Sequence, residues 1–335
     1  MVGVRRCHGR GLADRRRRGH GRLRTRLPAT AAGRPVAGFP PGSPVWPAHA
    51  ALRATHRDAA RRRHTDLARA GVTRWRGQLL SLNVRVVSWN VHKCVGGLDR
   101  RYDPQRVAAV IAQHDPDLVL LQEVAQHGRW HNRDRQVDVL GDALGMRYRS
   151  YFVNVRFGPR RGEYGNAILS RTPLTTSENL DLTLPGRKAR SVLHATVRLS
   201  MPAGGSRTLH CFNLHLGLSE KERREQLRTM LAFPHLAHIH RDTPVLVAGD
   251  FNDVYGSLGR RLLVPAGFRS RHPAPRTFPA WTPVRALDGV FVRGDCELTS
   301  LGRGRSKRAR TASDHIPLIA DLRVLPAAHA RTRKG

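Results

Sequence analysis

Lysine is almost missing from this chain of 335 residues, with five copies against 54 arginines. Together with abundant alanine, glycine and proline, that bias is what a very GC-rich coding sequence yields, so arginine content alone says little about nucleic acid. Cysteine is scarce as well. Its four copies, Cys7, Cys94, Cys211 and Cys296, form no CxxC pair and no disulfide-scaffold spacing, which argues against a zinc site built from them and fits a reducing compartment. No apolar run approaches the roughly 20 residues of a membrane span. No apolar stretch follows the N-terminal arginines, as a secretory signal would require. The expectation is a cytoplasmic protein with no transmembrane segment, and a monomer.

Acids are rare in the first quarter. Residues 1–80 hold only Asp14, Asp58 and Asp66 against 19 arginines, so about half of the formal net charge of +34 sits there. That region has no sustained hydrophobic period, carries the charge blocks Arg15 to Arg18 and Arg61 to Arg63, and contains the Pro-rich stretch Phe39 to Pro47. It is expected to be a disordered Arg-rich extension, with a start codon set too far upstream or a polyanion-binding arm as the other readings. The remaining chain is basic to a lesser degree, and 40% apolar residues overall suffice for a sizeable core.

From Val84 the pattern becomes that of an α/β domain. Val84 to Trp89 reads as a strand that ends in Asn90. Asp103-Pro104 supplies an N-cap and a first-turn proline for a helix to about Gln113. Asp117 to Val124 is a second buried strand, ending in Gln122-Glu123. Residues 125–163 are polar and read as helix and loop. Tyr164 to Ser170, Ser191 to Leu199 and Arg207 to Leu216 resume as strands. Ser219 and Glu222 form a capping box for a charged helix to about Ala232. A β-branched run, Val245 to Val247, leads into Gly249-Asp-Phe-Asn-Asp253, and Leu287 to Val292 is a strand interrupted by Asp288. Residues 302–311 read as a basic loop, and residues 325–335 as a frayed tail.

The polar residues gather where strands stop. Side chains alternate along a strand, so Asp250 and Asn252 share a face, as do Asn213 and His215. Glu123 at the end of an apolar strand is costly without a partner, either a metal ion or an arginine. Asn90, Glu123, Asn213, His215, Asp250, Asn252, Asp288, Asp314 and His315 form the inventory of a metal-assisted phosphoester hydrolase. It contains carboxylate oxygens for a hard cation, a carboxylate for water, and His and Asn for phosphoryl charge.

The order WNVH, LQEV, YGNAILS, NLHLG, GDFND, LDGVFV and SDHIPL, across about residues 84–324, resembles the endonuclease/exonuclease/phosphatase superfamily, closest to its compact bacterial-type members. The resemblance implies a four-layer α/β/β/α sandwich of two mixed sheets flanked by helices. It implies Asn90, Glu123 and Asp314 as ligands of Mg2+, with Mn2+ as the alternative ion. By the same resemblance Asp250 orients or deprotonates the attacking water and Asn252 contacts the phosphoryl oxygen. His315, held by Asp288, steadies the transition state or protonates the leaving oxygen, and His215 is a second histidine at the phosphate. Asn166, Arg190 and Asn213 are candidate phosphate-contacting groups. His215 in NLHLG is similar to the deoxyribonuclease, sphingomyelinase and phosphatase branches, whereas abasic-site endonucleases usually carry tyrosine there.

The resulting expectation is a phosphodiesterase, with nuclease activity on nucleic acid as one form of it. The alternatives are a phosphatase or phosphodiesterase acting on a phospholipid headgroup or small phosphorylated metabolite, and a non-catalytic basic nucleic-acid-binding protein.

Overall fold

The computed structural model describes residues 80–158 and 160–327, all within the compact unit Ala60–Gly335. The expectations for residues 1–79 and 328–335 lie outside the described residues.

The strands β1 (Leu82–Asn90) and β2 (Leu118–Gln126) are joined by the helix α1 (Pro104–Ala112). The Asp103 carboxylate accepts the Arg106 N–H at 2.8 Å, and Pro104 opens the first turn of α1. A helix α2 (Gln136–Ala143) and the strands β3 (Tyr148–Arg156), β4 (Glu163–Ser170), β5 (Leu174–Asp181), β6 (Ser191–Ser200) and β7 (Ser206–His215) follow. Then come α3 (Glu220–Ala232), the short α4 (Pro234–Ala237), β8 (Val245–Asp250), β9 (Asp288–Arg293), β10 (Cys296–Arg303), α5 (Lys307–Ala312) and β11 (Leu318–Val324). Both halves of the capping box form at α3, Ser219 to the Glu222 N–H and Glu222 to the Ser219 N–H.

Two mixed sheets result, in the orders β10-β11-β1-β2-β4-β3 and β5-β6-β7-β8-β9. Each has a single parallel pair, β1 with β2 and β7 with β8, and every other pairing is antiparallel. Alternation decides the layers. Val84, Val86, Leu118, Leu120 and Ile168 of the first sheet meet Leu193, Ala195, Leu209, Cys211, Leu246, Ala248, Val290 and Val292 of the second in one core between the sheets. Val87, Trp89, Val119 and Leu121 point the other way, against Val107, Val110 and Ile111 of α1, Leu140 of α2, and Ala309 and Ala312 of α5. Val192, Phe212, Val245 and Val247 pack outward against Leu227 and Met230 of α3 and Leu236 of α4. The fold is therefore the expected four-layer α/β/β/α sandwich. Each fully buried aliphatic side chain contributes about 1.5–3 kcal/mol, so these three layers of contact dominate its stability.

Three departures from the sequence reading share a cause. Residues 125–163 include the strand β3, and β5 and β10 were likewise unmarked; all three lie at sheet edges, where one side of the strand faces solvent and no apolar run is needed. The basic stretch 302–311 is a loop only in part. Ser306 accepts the Ala309 N–H at 3.1 Å and starts α5, whose small Ala309 and Ala312 bury against the first sheet while its arginines stay outside. Beyond β11, Leu325 donates its N–H to the Asp295 carbonyl at 2.9 Å, so the chain is held to this point.

Candidate active site

The inner face of each central strand is apolar in its middle and polar at one end. On β1 the series Val84, Val86 continues to Ser88 and Asn90. On β2, Leu118 and Leu120 continue to Gln122; on β7, Leu209 and Cys211 continue to Asn213 and His215. On β8, Leu246 and Ala248 continue to Asp250, and on β9 Asp288 precedes Val290 and Val292. β1, β2, β7 and β8 all run toward this end, while β9 starts from it, with Asp288 directly opposite Asp250. The mouth between the two sheets is thus lined by polar groups on adjoining strands.

Backbone geometry sharpens the mouth. Glu123 has φ 56°, and the β2–β4 register shifts between Leu121 and Val124; this bulge re-aims a carboxylate that regular alternation would send toward α1. Gly249 has φ 143°, and a Cβ there would collide with the Leu214 carbonyl of the parallel neighbour, so the close approach of β7 to β8 before Asp250 requires glycine. Asn252 turns the chain at φ 50°, with its amide donating to the Leu216 carbonyl at 2.9 Å.

Asp250 is the hub. Its Oδ2 accepts from Asn90 Nδ2 at 3.0 Å and lies 3.6 Å from His215 Nε2 and 3.7 Å from His315 Nε2. Its Oδ1 accepts the Asn252 N–H at 2.9 Å. Burial raises the Asp250 carboxyl to about 6, with the His315 charge opposing the rise and Asp288 adding to it. His315 donates from Nδ1 to Asp288 Oδ2 at 2.9 Å, and Thr277 donates its hydroxyl to the same oxygen. Burial alone would lower His315, but Asp288 and Asp250 reverse this and raise it to about 10. His215 is held far below its usual range by burial and then by the Arg190 charge. One imidazolium and one neutral imidazole therefore flank one buried carboxylate. The Ser313 hydroxyl fixes the loop by donating to the Asn90 carbonyl at 2.7 Å and accepting the His315 N–H at 3.2 Å, and Trp89 donates to the His315 carbonyl at 2.8 Å.

Glu123 sits on the other side of this centre. Burial pushes its carboxyl up, but the Lys93 ammonium, by its charge and its hydrogen bond, overcomes this and holds it near 2, so it is an anion at any working pH. Its Oε2 accepts from Lys93. Lys93 lies in a tight turn in which His92, Lys93 and Cys94 all have positive φ, and its ammonium stands 4.7 Å from the Tyr164 ring centroid, with Lys188 at 5.3 Å. Arg190 is 3% exposed, and its Nε and Nη1 have no hydrogen-bond partner. An unpartnered buried guanidinium is expensive unless an anion completes it.

Asn90, Glu123, His215, Asp250, Asn252, Asp288 and His315 are therefore brought to one end of the sandwich. Asp314 is adjacent, with its carboxylate accepting from Ser313 at 3.3 Å and its carbonyl accepting the Ala280 N–H at 2.7 Å. Two of the candidate phosphate contacts have their amides committed within the protein. Asn213 spends its amide on the Leu121 and Ala167 carbonyls, each at 2.8 Å, and its Oδ1 accepts from Gln122 at 2.7 Å. Asn166 donates to the Ser191 and Asn213 carbonyls. Both are completely buried ties between the sheets, so neither has a donor left for phosphate. Lys93, Lys188, Thr277 and Ser313 escaped the sequence reading. The lysines carried a usable signal, since two of only five in the chain stand at this site.

The donor set fits a divalent cation. Glu123 is a largely buried anion that already draws an ammonium group, Asn90 and Asp250 bring oxygens to the same end of the sheets, and Asp250, Asp288 and His315 place one ligand atom each within 4.8 Å of one another. Hard oxygen donors of this kind suit Mg2+ or Mn2+.

The model of the endonuclease/exonuclease/phosphatase family matches residues 87–315. The chain belongs to that family. Its relatives include the protein YbhP of Escherichia coli K12, itself uncharacterized, which is 29% identical over 73% of this chain and 98% of its own length. An endonuclease/exonuclease/phosphatase structure from Beutenbergia cavernae superposes with a TM-score of 0.60 at 24% identity, covering 72% of each chain. The mannosyl-6-phosphatase Bt3783 of Bacteroides thetaiotaomicron superposes at 0.52 with 19% identity, over 71% of this chain and 99% of that one. Members of the family are in general metal-dependent hydrolases of phosphate esters, which sets the class of chemistry without naming the ester. Among the described residues no helix is long and apolar enough to cross a membrane.

Proposed function

We propose that this chain is a Mg2+-dependent phosphodiesterase, with Mn2+ as a substitute ion. The observation that carries the reading is the convergence on Asp250 Oδ2 of Asn90, His215 and His315, with His315 held in turn by Asp288. Glu123 and Asn90 hold the ion, with Asp314 as a further carboxylate beside it. The bound ion supplies Lewis-acid neutralisation of phosphoryl charge.

The protein side of the reaction follows from the protonation states. Asp250, raised toward neutrality yet anionic above about pH 6, takes the proton of the attacking water. Asn252 orients a phosphoryl oxygen. His315 faces the centre with Nε2 because Nδ1 is committed to Asp288, and as an imidazolium it steadies developing charge and delivers a proton to the leaving oxygen. His215, neutral, donates one hydrogen bond to the phosphate without adding charge. Arg190 offers its unpartnered Nε and Nη1 to a non-bridging oxygen.

His315 is a cationic acid suited to an alkoxide leaving group, which both kinds of ester expel, so the diester reading is decided by comparing the two esters directly. A nuclease is one form of this activity. The second reading, a phospholipid headgroup, draws on exposed Leu218, Tyr255, Trp130 and Trp281, which stand on loops that leave or enter the same end of the sheets. Reduced, buried Cys94, Cys211 and Cys296 agree with a cytoplasmic setting.

The test compares hydrolysis of bis-p-nitrophenyl phosphate and p-nitrophenyl phosphate with Mg2+, each with an EDTA control. Diester cleavage abolished by EDTA supports the proposal. Monoester cleavage alone refutes it in favour of a phosphatase.

A further inference from the structure

The outward face of the second sheet carries a histidine cluster that the catalytic centre does not use. His194 of β6 and Glu178 of β5 are paired residues in the ladder, His210 of β7 lies beside them, and His235 projects from α4. The inner face of these strands is the apolar inter-sheet core, so a full sheet separates the cluster from the catalytic mouth.

Three ligand atoms converge. Glu178 Oε1 accepts from His194 Nδ1 at 2.7 Å and from His235 Nδ1, and the three groups place their ligand atoms within 4.8 Å of one another. His194 is 3% exposed, on the outer side of a central strand where Val192 and Phe212 are its apolar companions. A polar ring at such a position needs a reason.

A divalent cation satisfies the arrangement more completely. With His194 Nδ1 bound to a metal, its Nε2 carries the proton and donates to His210 Nδ1, 3.1 Å away. A ligating imidazole whose far nitrogen donates to a buried partner is the usual support of a metal-bound histidine. The stacked Phe212 ring, 4.3 Å from the His194 centroid, fixes the plane of the ligand. The cluster opens into a cavity of about 590 Å³ that His238 and His240 also line, which leaves room for a water or a further imidazole in the fourth position.

We propose that Glu178, His194 and His235 form a second metal site, for Zn2+, distinct from the Mg2+ centre. Two imidazoles and one carboxylate are a zinc donor set, and drawing each atom to about 2.0–2.2 Å of the ion requires small side-chain adjustments only. Its role is structural. It ties α4 and the connection that leads into β8 to the edge strand β5, and β8 ends in Asp250.

The full-length protein is stripped with chelator, dialysed against micromolar Zn2+ in millimolar Mg2+, and its metal content measured by mass spectrometry alongside its melting temperature. Wild type is expected to retain one more zinc per chain than His235→Ala or Glu178→Gln, and zinc should raise its melting temperature but not theirs. His235 is largely exposed, so its removal should leave the fold intact. Glu123→Gln should keep the zinc, because that residue belongs to the other site. Equal zinc content in wild type and His235→Ala, or loss of zinc in Glu123→Gln alone, overturns the proposal.

Discussion

Replacing Asp288 by Asn isolates what the His315–Asp288 pair contributes. Asparagine keeps the size of the side chain and an oxygen for the His315 Nδ1 proton, now at 2.9 Å from Oδ2, but removes the charge. That charge is the largest of the influences holding His315 up at about 10 against its own burial. Without it burial meets less opposition, and the ring holds its proton less tightly. The sign follows directly. A raised histidine is protonated below its folded value, so activity that needs the imidazolium persists toward pH 10 in wild type and is lost above it. In the variant the alkaline limb moves down by at least about 2 pH units. Loss of a positioned charge at the phosphoryl group should cost about 10³-fold in kcat at neutral pH. The assay is a pH–rate profile for diester hydrolysis at saturating Mg2+. A variant within tenfold of wild-type kcat, with an unmoved alkaline limb, would refute the reasoning.

Other perturbations address different parts of the site. Arg190→Ala should raise KM and lower kcat together, by about 10²-fold in kcat/KM, because a buried guanidinium whose Nε and Nη1 lack partners is suited to complete itself on a substrate anion; steady-state kinetics that leave kcat/KM unchanged would show it to be structural. Gly249→Ala should destabilise the fold by about 3 kcal/mol or more in a urea titration, since the new methyl meets the Leu214 carbonyl at an unfavourable φ.

The central strands and their polar ends were legible because a strand buried on both faces must be apolar, and any carboxylate or imidazole that closes it stands out. Asp250 after Val245–Ala248 and Asp288 before Val290 are of this kind. Edge strands gave no such signal: β5 reads LTTSENLD, and only its pairing with β6 makes it a strand. Asn213 misled for a subtler reason. It shares the face and end of His215, but one residue pair deeper it lies between sheets, where its amide is spent on carbonyls across the gap. Lys93 and Lys188 could not be placed from spacing, because they come from a left-handed turn and from the residues before β6, far apart in sequence, to reach one carboxylate and one tyrosine ring.

The most direct test of the catalytic proposal is the kinetics of Asp250→Asn on a phosphodiester with saturating Mg2+. Asparagine keeps the size of the side chain and one oxygen, enough to accept from either Asn90 Nδ2 or the Asn252 N–H, but cannot take a proton from water. A fall in kcat of several orders of magnitude with KM nearly unchanged is the predicted result. A variant that turns over within tenfold of wild type would contradict the assignment of Asp250 as the base.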